Sequence, residues 1–231
     1  MKTTEPSIYL ASKSPRRREL LRQLGIEPEL MLLRDDPSRG AVDVDESALP
    51  GEAAHDYVAR VTRAKAMAAR HFMQVRELPV RAILTADTMV TVDGAILGKP
   101  ANRAIALSML RQLAGRSHDV LTSVALTVGD QVHQFTQRSS VTFAALSEQT
   151  MLGYCDSAEP YDKAGGYAIQ GHAARFVRTL SGSYSGIMGL PLFETAQLLE
   201  QIGLLPGFPA SAAALAPATA PSALAARKQA A

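Results

Sequence analysis

The residues best suited to chemistry in this sequence are cations and carboxylates scattered along the chain. They comprise the basic residues Arg16, Arg17, Lys65, Lys99 and Lys163 and the acidic residues Glu46, Asp87 and Asp162. In phosphate chemistry, cations hold phosphate oxygens, a divalent metal polarises the reacting phosphorus, and a carboxylate accepts a proton from water. The set therefore favours a polyphosphate ligand bound together with a divalent metal ion.

Residues 12–21, with the sequence S-K-S-P-R-R-R-E-L-L, are the strongest local candidate for binding an anion. A short apolar run at residues 8–11 predicts a buried strand before them, and Ser14-Pro15 predicts the start of a helix. Unpaired N–H groups and the helix dipole make such a start an anion site. The arginine run at residues 16–18 lies in the first turn, where the dipole disfavours cations. A bound phosphate would explain it, and a solvated basic turn is the alternative.

Asp87 follows a predicted strand, V-R-A-I-L-T-A, at residues 80–86. A carboxylate at the carboxyl end of a buried strand is favourably placed for chemistry in α/β folds. Residues 89–97, centred on Asp93-Gly94, predict a hairpin with a type I′ turn. This hairpin is expected to return Lys99 near the level of Asp87.

An acidic cluster at residues 42–47 and a lysine on a long helix complete the candidate site. Asp43, Asp45 and Glu46 lie close together in a polar loop, and close carboxylates can hold a divalent cation. A solvated acidic loop is the alternative. Residues 53–73 predict a helix whose buried stripe includes Met67, and Lys65 lies beside that stripe. Its ammonium either reaches a neighbouring cleft or extends along the surface.

Strands and helices alternate in the rest of the chain. Asn102 and Ser147 are predicted helix caps, residues 118–128 and 131–144 are predicted strands, and residues 173–180 are another. Glycine-rich residues 159–171 suit backbone lying close to a ligand, and a last helix is predicted after Gly189. The pattern predicts an α/β domain with a mixed sheet over residues 1–206. The Ala/Pro-rich residues 207–231 are predicted to be a disordered tail.

Composition limits the classes of protein that the chain can belong to. A net charge of +2 over 231 residues does not favour nucleic-acid binding. The single cysteine, Cys155, excludes an intrachain disulfide framework and a multi-cysteine zinc site. No signal peptide and no apolar run of about 20 residues is evident. A cytoplasmic protein without nucleic-acid or membrane partners is predicted, and a homodimer is left open.

Several short motifs, taken in order, resemble the Maf family of nucleoside triphosphate pyrophosphatases over residues 8–203. They are S-K-S-P-R-R-R-E-L-L at Ser12, D-E at Asp45, R-A-K-A at Arg63, A-D-T at Ala86, G-K-P at Gly98, E-P-Y-D-K-A-G-G-Y-A-I-Q-G at Glu159 and G-L-P at Gly189. The resemblance implies a mixed twisted sheet flanked by helices. It also implies two lobes around a central cleft, as in inosine triphosphate pyrophosphatases.

The resemblance also implies hydrolysis of a nucleoside triphosphate to the monophosphate and pyrophosphate. A divalent cation, Mg²⁺ or Mn²⁺, is expected as the cofactor, with Glu46 and Asp87 as its ligands. Asp87 matches the family's proposed proton acceptor. The expected phosphate-binding residues are Ser12, Arg17, Lys65 and Lys99.

The branch of the family is indicated by Arg16, Thr88 and Gln170, which match the motifs of proteins similar to dTTP and UTP hydrolases. A branch similar to 7-methyl-GTP hydrolases has an aromatic residue, a glutamine and a glutamate there instead. The chain departs from the family pattern in the extra Arg18, a longer acidic loop before Asp43 and the tail. A nucleotide-sensing inhibitor of septum formation without turnover remains the alternative class of function.

Overall fold

The computed structural model describes residues 8–32 and 44–205. The predicted tail at residues 207–231, the longer acidic loop and Asp43 lie outside the described residues. The strands are β1 (Ile8–Leu10), β2 (Glu29–Leu30), β3 (Ala82–Val92), β4 (Ala95–Leu97), β5 (Ser117–Val128), β6 (Gln131–Phe143) and β7 (Val177–Ser181). The helices are α1 (Pro15–Gln23), α2 (Ala54–Val75), α3 (Arg103–Leu113), α4 (Glu148–Cys155), α5 (Tyr184–Met188) and α6 (Leu192–Gln201).

One mixed sheet of seven strands organises the fold, in the order β2-β1-β3-β5-β6-β7, with β4 also paired to β3. The strands β1, β2 and β3 are parallel, because α1 and α2 provide the crossovers that parallel pairing needs. The strands β3, β5, β6 and β7 pair antiparallel. The predicted α/β class with a mixed sheet is therefore confirmed.

Helices cover both faces of the sheet near β3. Successive strand residues point to opposite faces. Leu84 packs with Leu20 of α1 and Leu199 of α6 in one buried cluster. Ile83 packs with Ala69 of α2 on the other face. The strand β3 is thereby buried on both sides, which explains its nearly continuous apolar sequence.

Two apolar clusters share β3 and lie toward its opposite ends. Ala82, Leu84 and Ala86 belong to the cluster that includes β1, α1 and α6. Val90 and Val92 belong to a second cluster built with α3, α4 and the ends of the β5–β6 hairpin. The middle of β3 therefore lies where the two halves of the core meet, as expected for two lobes around a cleft.

Among the described residues, no strand pairs with the middle of β3 along one of its edges. On this edge β1 pairs with β3 only as far as Leu84, and β4 pairs with it only from Val90. On the other edge β5 pairs with β3 continuously from Ile83 to Thr91. We call residues 85–89 the open edge. The prediction that a strand ends before Asp87 is wrong. Continuous pairing with β5 extends β3 through Asp87 and Thr88.

Several local predictions are also wrong. Met67, predicted to be buried, is 47% exposed, because it lies on the face of α2 opposite the buried Val58 and Ala69. Ile105, which the apolar pattern after Asn102 also predicts to be buried, is 41% exposed at the edge of the buried face of α3. Within residues 8–32, the Ser14 hydroxyl makes no capping hydrogen bond to α1. Residues 173–180 are only partly strand, since a 3₁₀ helix at His172–Phe176 precedes β7.

The predicted caps at Asn102 and Ser147 are confirmed, since each accepts a hydrogen bond from a backbone N–H.

Among the residues that the structure describes, no helix has the length and apolar character that crossing a membrane requires.

Candidate active site

A cavity of about 660 Å³ opens at the open edge of β3, in the gap between β1 and β4. Nine of the residues predicted for the site line it: Ser12, Arg16, Arg17, Glu46, Lys65, Asp87, Thr88, Lys99 and Gln170. Asp45 of the acidic cluster does not, and its carboxylate accepts from the Ser47 backbone N–H instead. Asp162 and Lys163 line it as well. The structure thus brings together residues from across the chain, whereas their individual roles remain predictions.

The open edge explains how neighbouring residues of one strand serve one cavity. Asp87 and Thr88 point to opposite faces of the sheet, as successive strand residues must. Asp87 meets Lys65 of α2, and Thr88 meets Arg17 of α1. Because no strand in the described part of the chain pairs with β3 at this point, the cavity reaches both faces around its edge. A paired strand here would have separated the two side chains.

Lys65 forms the centre of a charged cluster. Its ammonium nitrogen lies 2.8 Å from Asp87 Oδ1 and 2.8 Å from Glu46 Oε1. The side chains of Lys65 and Asp87 are only 18% and 17% exposed, whereas Glu46 is 56% exposed. A cation between two carboxylates offsets their mutual repulsion. Lys65 therefore reaches the cavity, the first of the two alternatives that its helix position allows.

Arg17 is fixed by protein acceptors on three sides. Its Nε donates to the Gly189 carbonyl at 2.8 Å, and its two terminal nitrogens donate to Ser12 Oγ at 3.1 Å and Thr88 Oγ1 at 3.2 Å. Burial lowers the pKa of this guanidinium from its ordinary value, and the charge of Asp87 opposes the shift. A guanidinium has five N–H donors, so Arg17 retains capacity for an anion while its position is set.

Ser12 sits between Arg17 and the start of α1. Its Oγ accepts from Arg17 and, at 3.2 Å, from the Ser14 backbone N–H. With both hydrogen bonds received by its oxygen, the hydroxyl proton stays available to a phosphate oxygen. This contact satisfies the N–H of Ser14 itself and none of the free N–H groups in the first turn of α1.

Lys99 and Gln170 are two exposed residues of the cavity wall. Within residues 8–32 and 44–205, neither side chain has a hydrogen bond or ion pair to another residue. Arg16 has only a long contact, 3.8 Å from Asp162. These side chains are therefore available to a ligand without first breaking a strong protein contact.

The loop that carries Glu46 is anchored to α2 by contacts that the sequence did not suggest. The Tyr57 hydroxyl donates to the Glu46 carbonyl at 2.7 Å, and Arg60 donates to the Ser47 carbonyl at 2.9 Å. Arg60 also makes a bidentate pair with Glu52 at 2.6 and 2.8 Å, which lowers the pKa of Glu52 to about 2. We call Tyr57, Arg60 and Glu52 the loop anchor. Tyr57 resembles a core residue in sequence, which hides this role.

The glycine-rich segment supports Gln170 from behind. The Glu159 carboxylate accepts from the His172 and Ala173 N–H groups at 2.9 and 3.2 Å and from the Tyr154 hydroxyl at 2.9 Å. Burial opposes ionisation of Glu159, but these donors lower its pKa overall. A Cβ on Gly171 would lie 2.5 Å from this carboxylate. The backbone at Gly171 therefore lies close to the Glu159 side chain, and this contact fixes the turn that presents Gln170.

The carboxylates of the cavity suit a divalent cation that is also bound by the phosphates of a ligand. Among the described residues, no cluster of three or more His, Cys, Asp or Glu side chains could enclose a metal alone. Mg²⁺ characteristically takes one or two protein carboxylates together with substrate phosphates and water. Glu46 and Asp87, which converge on the Lys65 ammonium from two sides, supply hard oxygen donors of that kind. The residues therefore fit a metal that arrives with a phosphate ligand.

The fold and the cavity together define an α/β protein whose cavity, at the open edge of β3, carries both cations and carboxylates. Residues 7–202 match the family described as Maf-like protein, and the chain belongs to that family. The resemblance inferred from the motifs is therefore confirmed at the level of the family.

Relatives from several bacteria match along most of their length. The dTTP/UTP pyrophosphatase of Burkholderia lata is 56% identical over 197 residues, covering 84% of this chain and 92% of that protein. The protein of the same name from Aromatoleum aromaticum is 49% identical over 203 residues, covering 88% and 98%. Among solved structures, the Staphylococcus aureus Ham1 protein matches with a TM-score of 0.39 and 14% identity, covering 59% of this chain and 71% of that one.

Proposed function

We propose that this protein is a nucleoside triphosphate pyrophosphatase that hydrolyses dTTP and UTP to the monophosphate and pyrophosphate. The observation that carries the proposal is the convergence of Asp87 with Lys65, Arg17 and Lys99 on one open cavity. Relatives that are 49% and 56% identical carry the name dTTP/UTP pyrophosphatase, which supports the same substrate class.

Asp87 acts as the proton acceptor for the attacking water. Its Oδ1 is paired with Lys65, so Oδ2 is the oxygen left to receive the proton. Lys65, Lys99 and Arg17 bind phosphate oxygens and stabilise the charge that develops as the bond between the α- and β-phosphates breaks. Ser12 contributes its hydroxyl proton to the same phosphates. Pyrophosphate leaves as the second product.

Glu46 and Asp87 would hold a divalent metal, for which Mg²⁺ or Mn²⁺ is proposed because both prefer hard oxygen ligands. The metal would neutralise phosphate charge and polarise the reacting phosphorus. Lys65 already bridges these carboxylates. The metal and the ammonium would therefore both contact the carboxylates, and both would also contact the triphosphate.

Base selectivity is assigned to Arg16, Thr88 and Gln170, which line the same cavity. Thymine and uracil present two carbonyls and one ring N–H, and this set of residues offers both donors and acceptors. Cytoplasmic location and a homodimer remain predictions.

A direct product assay tests the proposal. Purified protein is incubated with dTTP, UTP, GTP and 7-methyl-GTP in the presence of Mg²⁺ or Mn²⁺, and nucleotides and pyrophosphate are quantified separately. We expect monophosphate and pyrophosphate in equal amounts, with dTTP and UTP as the best substrates. Binding of dTTP without any product would instead favour a nucleotide sensor, and preference for 7-methyl-GTP would overturn the branch.

A further inference from the structure

Thr88 begins a chain of hydrogen bonds that leads from the cavity into the sheet. Arg17 donates to Thr88 Oγ1 at 3.2 Å, and Thr88 Oγ1 lies 3.0 Å from Thr122 Oγ1. Thr122 Oγ1 in turn donates to the Gly186 carbonyl at 2.7 Å. Thr122 lies on β5 opposite Thr88, is completely buried and does not line the cavity.

The direction of each hydrogen bond in this chain is determined by its last member. A backbone carbonyl can only accept, so the single hydroxyl proton of Thr122 is used on Gly186. The contact between the two threonine hydroxyls must then use the proton of Thr88. Thr88 Oγ1 also accepts from Arg17, which leaves it with one lone pair and no proton for anything in the cavity.

Thr88 is consequently an acceptor toward any bound base. Thymine and uracil carry a hydrogen on ring nitrogen N3, whereas the N3 of neutral cytosine carries a lone pair. A fixed acceptor can bind the N3–H of thymine or uracil and repels the N3 lone pair of cytosine. A serine or threonine hydroxyl that was free to rotate would serve both, since it can donate or accept.

We propose that Thr122 is a positioning residue that selects uracil and thymine over cytosine by holding the Thr88 hydroxyl as an acceptor for the base N3–H. This inference rests on the proposed pyrimidine triphosphate substrate and deepens it. Thr122 touches no ligand and acts only through Thr88. Its hydroxyl, and not its size, is what the discrimination requires.

The variant Thr122→Val tests this because it keeps the shape of the side chain and removes the acceptor for Thr88. The freed Thr88 proton can then be donated to the N3 of cytosine. We expect the ratio of kcat/KM for UTP to that for CTP to fall about tenfold, since one hydrogen-bond match is lost and another gained. Thr122→Ser, which retains the hydroxyl, should keep the wild-type ratio.

Two further variants separate positioning from general damage to the fold. Thr127→Val changes another buried threonine of β5, whose hydroxyl has no partner among the described residues. It should leave the UTP to CTP ratio unchanged. In a Thr88→Val background, Thr122→Val should have no additional effect on the ratio, because the hydroxyl through which it acts is gone.

A folded Thr122→Val variant with the wild-type UTP to CTP ratio would overturn the inference while leaving the pyrophosphatase proposal intact. Thr122→Ala, which also lacks the acceptor and needs less room, takes its place if the valine variant does not fold. If the wild type hydrolyses neither dTTP nor UTP, the proposed function fails first. Equilibrium binding of UTP and CTP to the same variants then gives the ratio, and an unchanged ratio of dissociation constants again overturns the inference.

Discussion

The Lys65 ammonium lies 2.8 Å from Asp87 Oδ1 and so joins helix α2 to the open edge of β3. The same nitrogen lies 2.8 Å from Glu46 Oε1. This arrangement brings two carboxylates together at the cavity, because the ammonium offsets their repulsion. It also leaves Asp87 Oδ2 as the acceptor that faces the proposed water.

Replacement of Asp87 by asparagine should remove the proposed proton acceptor while preserving the size of the side chain. Hydrolysis of dTTP is expected to fall by at least ~100-fold, the usual loss when a general base is removed. The rate of pyrophosphate release measures the effect, and circular dichroism confirms the fold. Asp93→Asn, at the exposed turn between β3 and β4, is the matched control and should keep full activity. Near wild-type turnover by folded Asp87→Asn would rule out this role.

The loop anchor should affect metal binding more than it affects turnover. Arg60→Met removes the contacts to Glu52 and Ser47 while leaving Glu46 itself in place. Because such supporting groups orient a metal ligand, the metal concentration needed for half-maximal activity should rise about tenfold. The rate at saturating metal should change less. Titration of Mg²⁺ or Mn²⁺ into the assay measures both quantities.

Arg70→Met is the matched control for the loop anchor. Arg70 lies on the same helix as Arg60, and its replacement also removes an ion pair. That pair is with the exposed Asp130. We expect no change in its metal requirement. Equal metal titrations for Arg60→Met and the wild type would show that the loop anchor does not position Glu46.

His118 should make stability depend on pH. It is buried beneath the cavity wall, with Nε2 2.8 Å from the Tyr167 hydroxyl. Burial lowers the pKa of the imidazole to about 4, and the nearby Asp119 opposes the shift. Between pH 6.5 and 4 the unfolded chain binds a proton that the folded chain does not. Stability contributed by neutral His118 is therefore present above pH 6.5 and is lost as the pH falls toward 4.

Denaturant unfolding at several pH values measures this contribution. A pKa lowered from 6.5 to about 4 corresponds to roughly 3 kcal/mol over the window. His118→Phe keeps an aromatic ring against Phe143 but cannot titrate, so its unfolding free energy should fall less with acid. The exposed His71→Asn serves as the control. Parallel pH curves for His118→Phe and the wild type would contradict the prediction.

Sequence patterns indicated residues that line the cavity but not the support that holds them. The positions of Asp87 and Lys99 follow from local signals, namely a polar pair after an apolar run and an Asp-Gly turn. The open edge does not, since it depends on where β1 and β4 stop pairing. Thr122 looks like an ordinary strand residue, because its role arises from contacts with Thr88 and Gly186, which lie 34 and 64 positions away. Long-range hydrogen bonds of this kind leave no periodic pattern in the sequence.

The choice of base should depend on Gln170, which the Glu159–Gly171 contact presents at the cavity wall. Its carboxamide can donate to a pyrimidine carbonyl and accept from a ring N–H, whereas an ionised glutamate can only accept. A buried polar group left unpaired by the wrong base costs roughly 1–3 kcal/mol, enough for tenfold or more in rate. The wild type should therefore favour dTTP and UTP over GTP and 7-methyl-GTP in kcat/KM.

Gln170→Glu should erode that preference about tenfold, because a carboxylate facing a base carbonyl repels it and cannot donate to it. The measurement is kcat/KM for each of the four triphosphates at one metal concentration. Gln201→Glu, an exposed position at the end of α6 outside the cavity, makes the same change of charge and should alter none of the ratios. If Gln170→Glu retains the wild-type preference, Gln170 does not contact the base, and selectivity must come from Arg16 and Thr88.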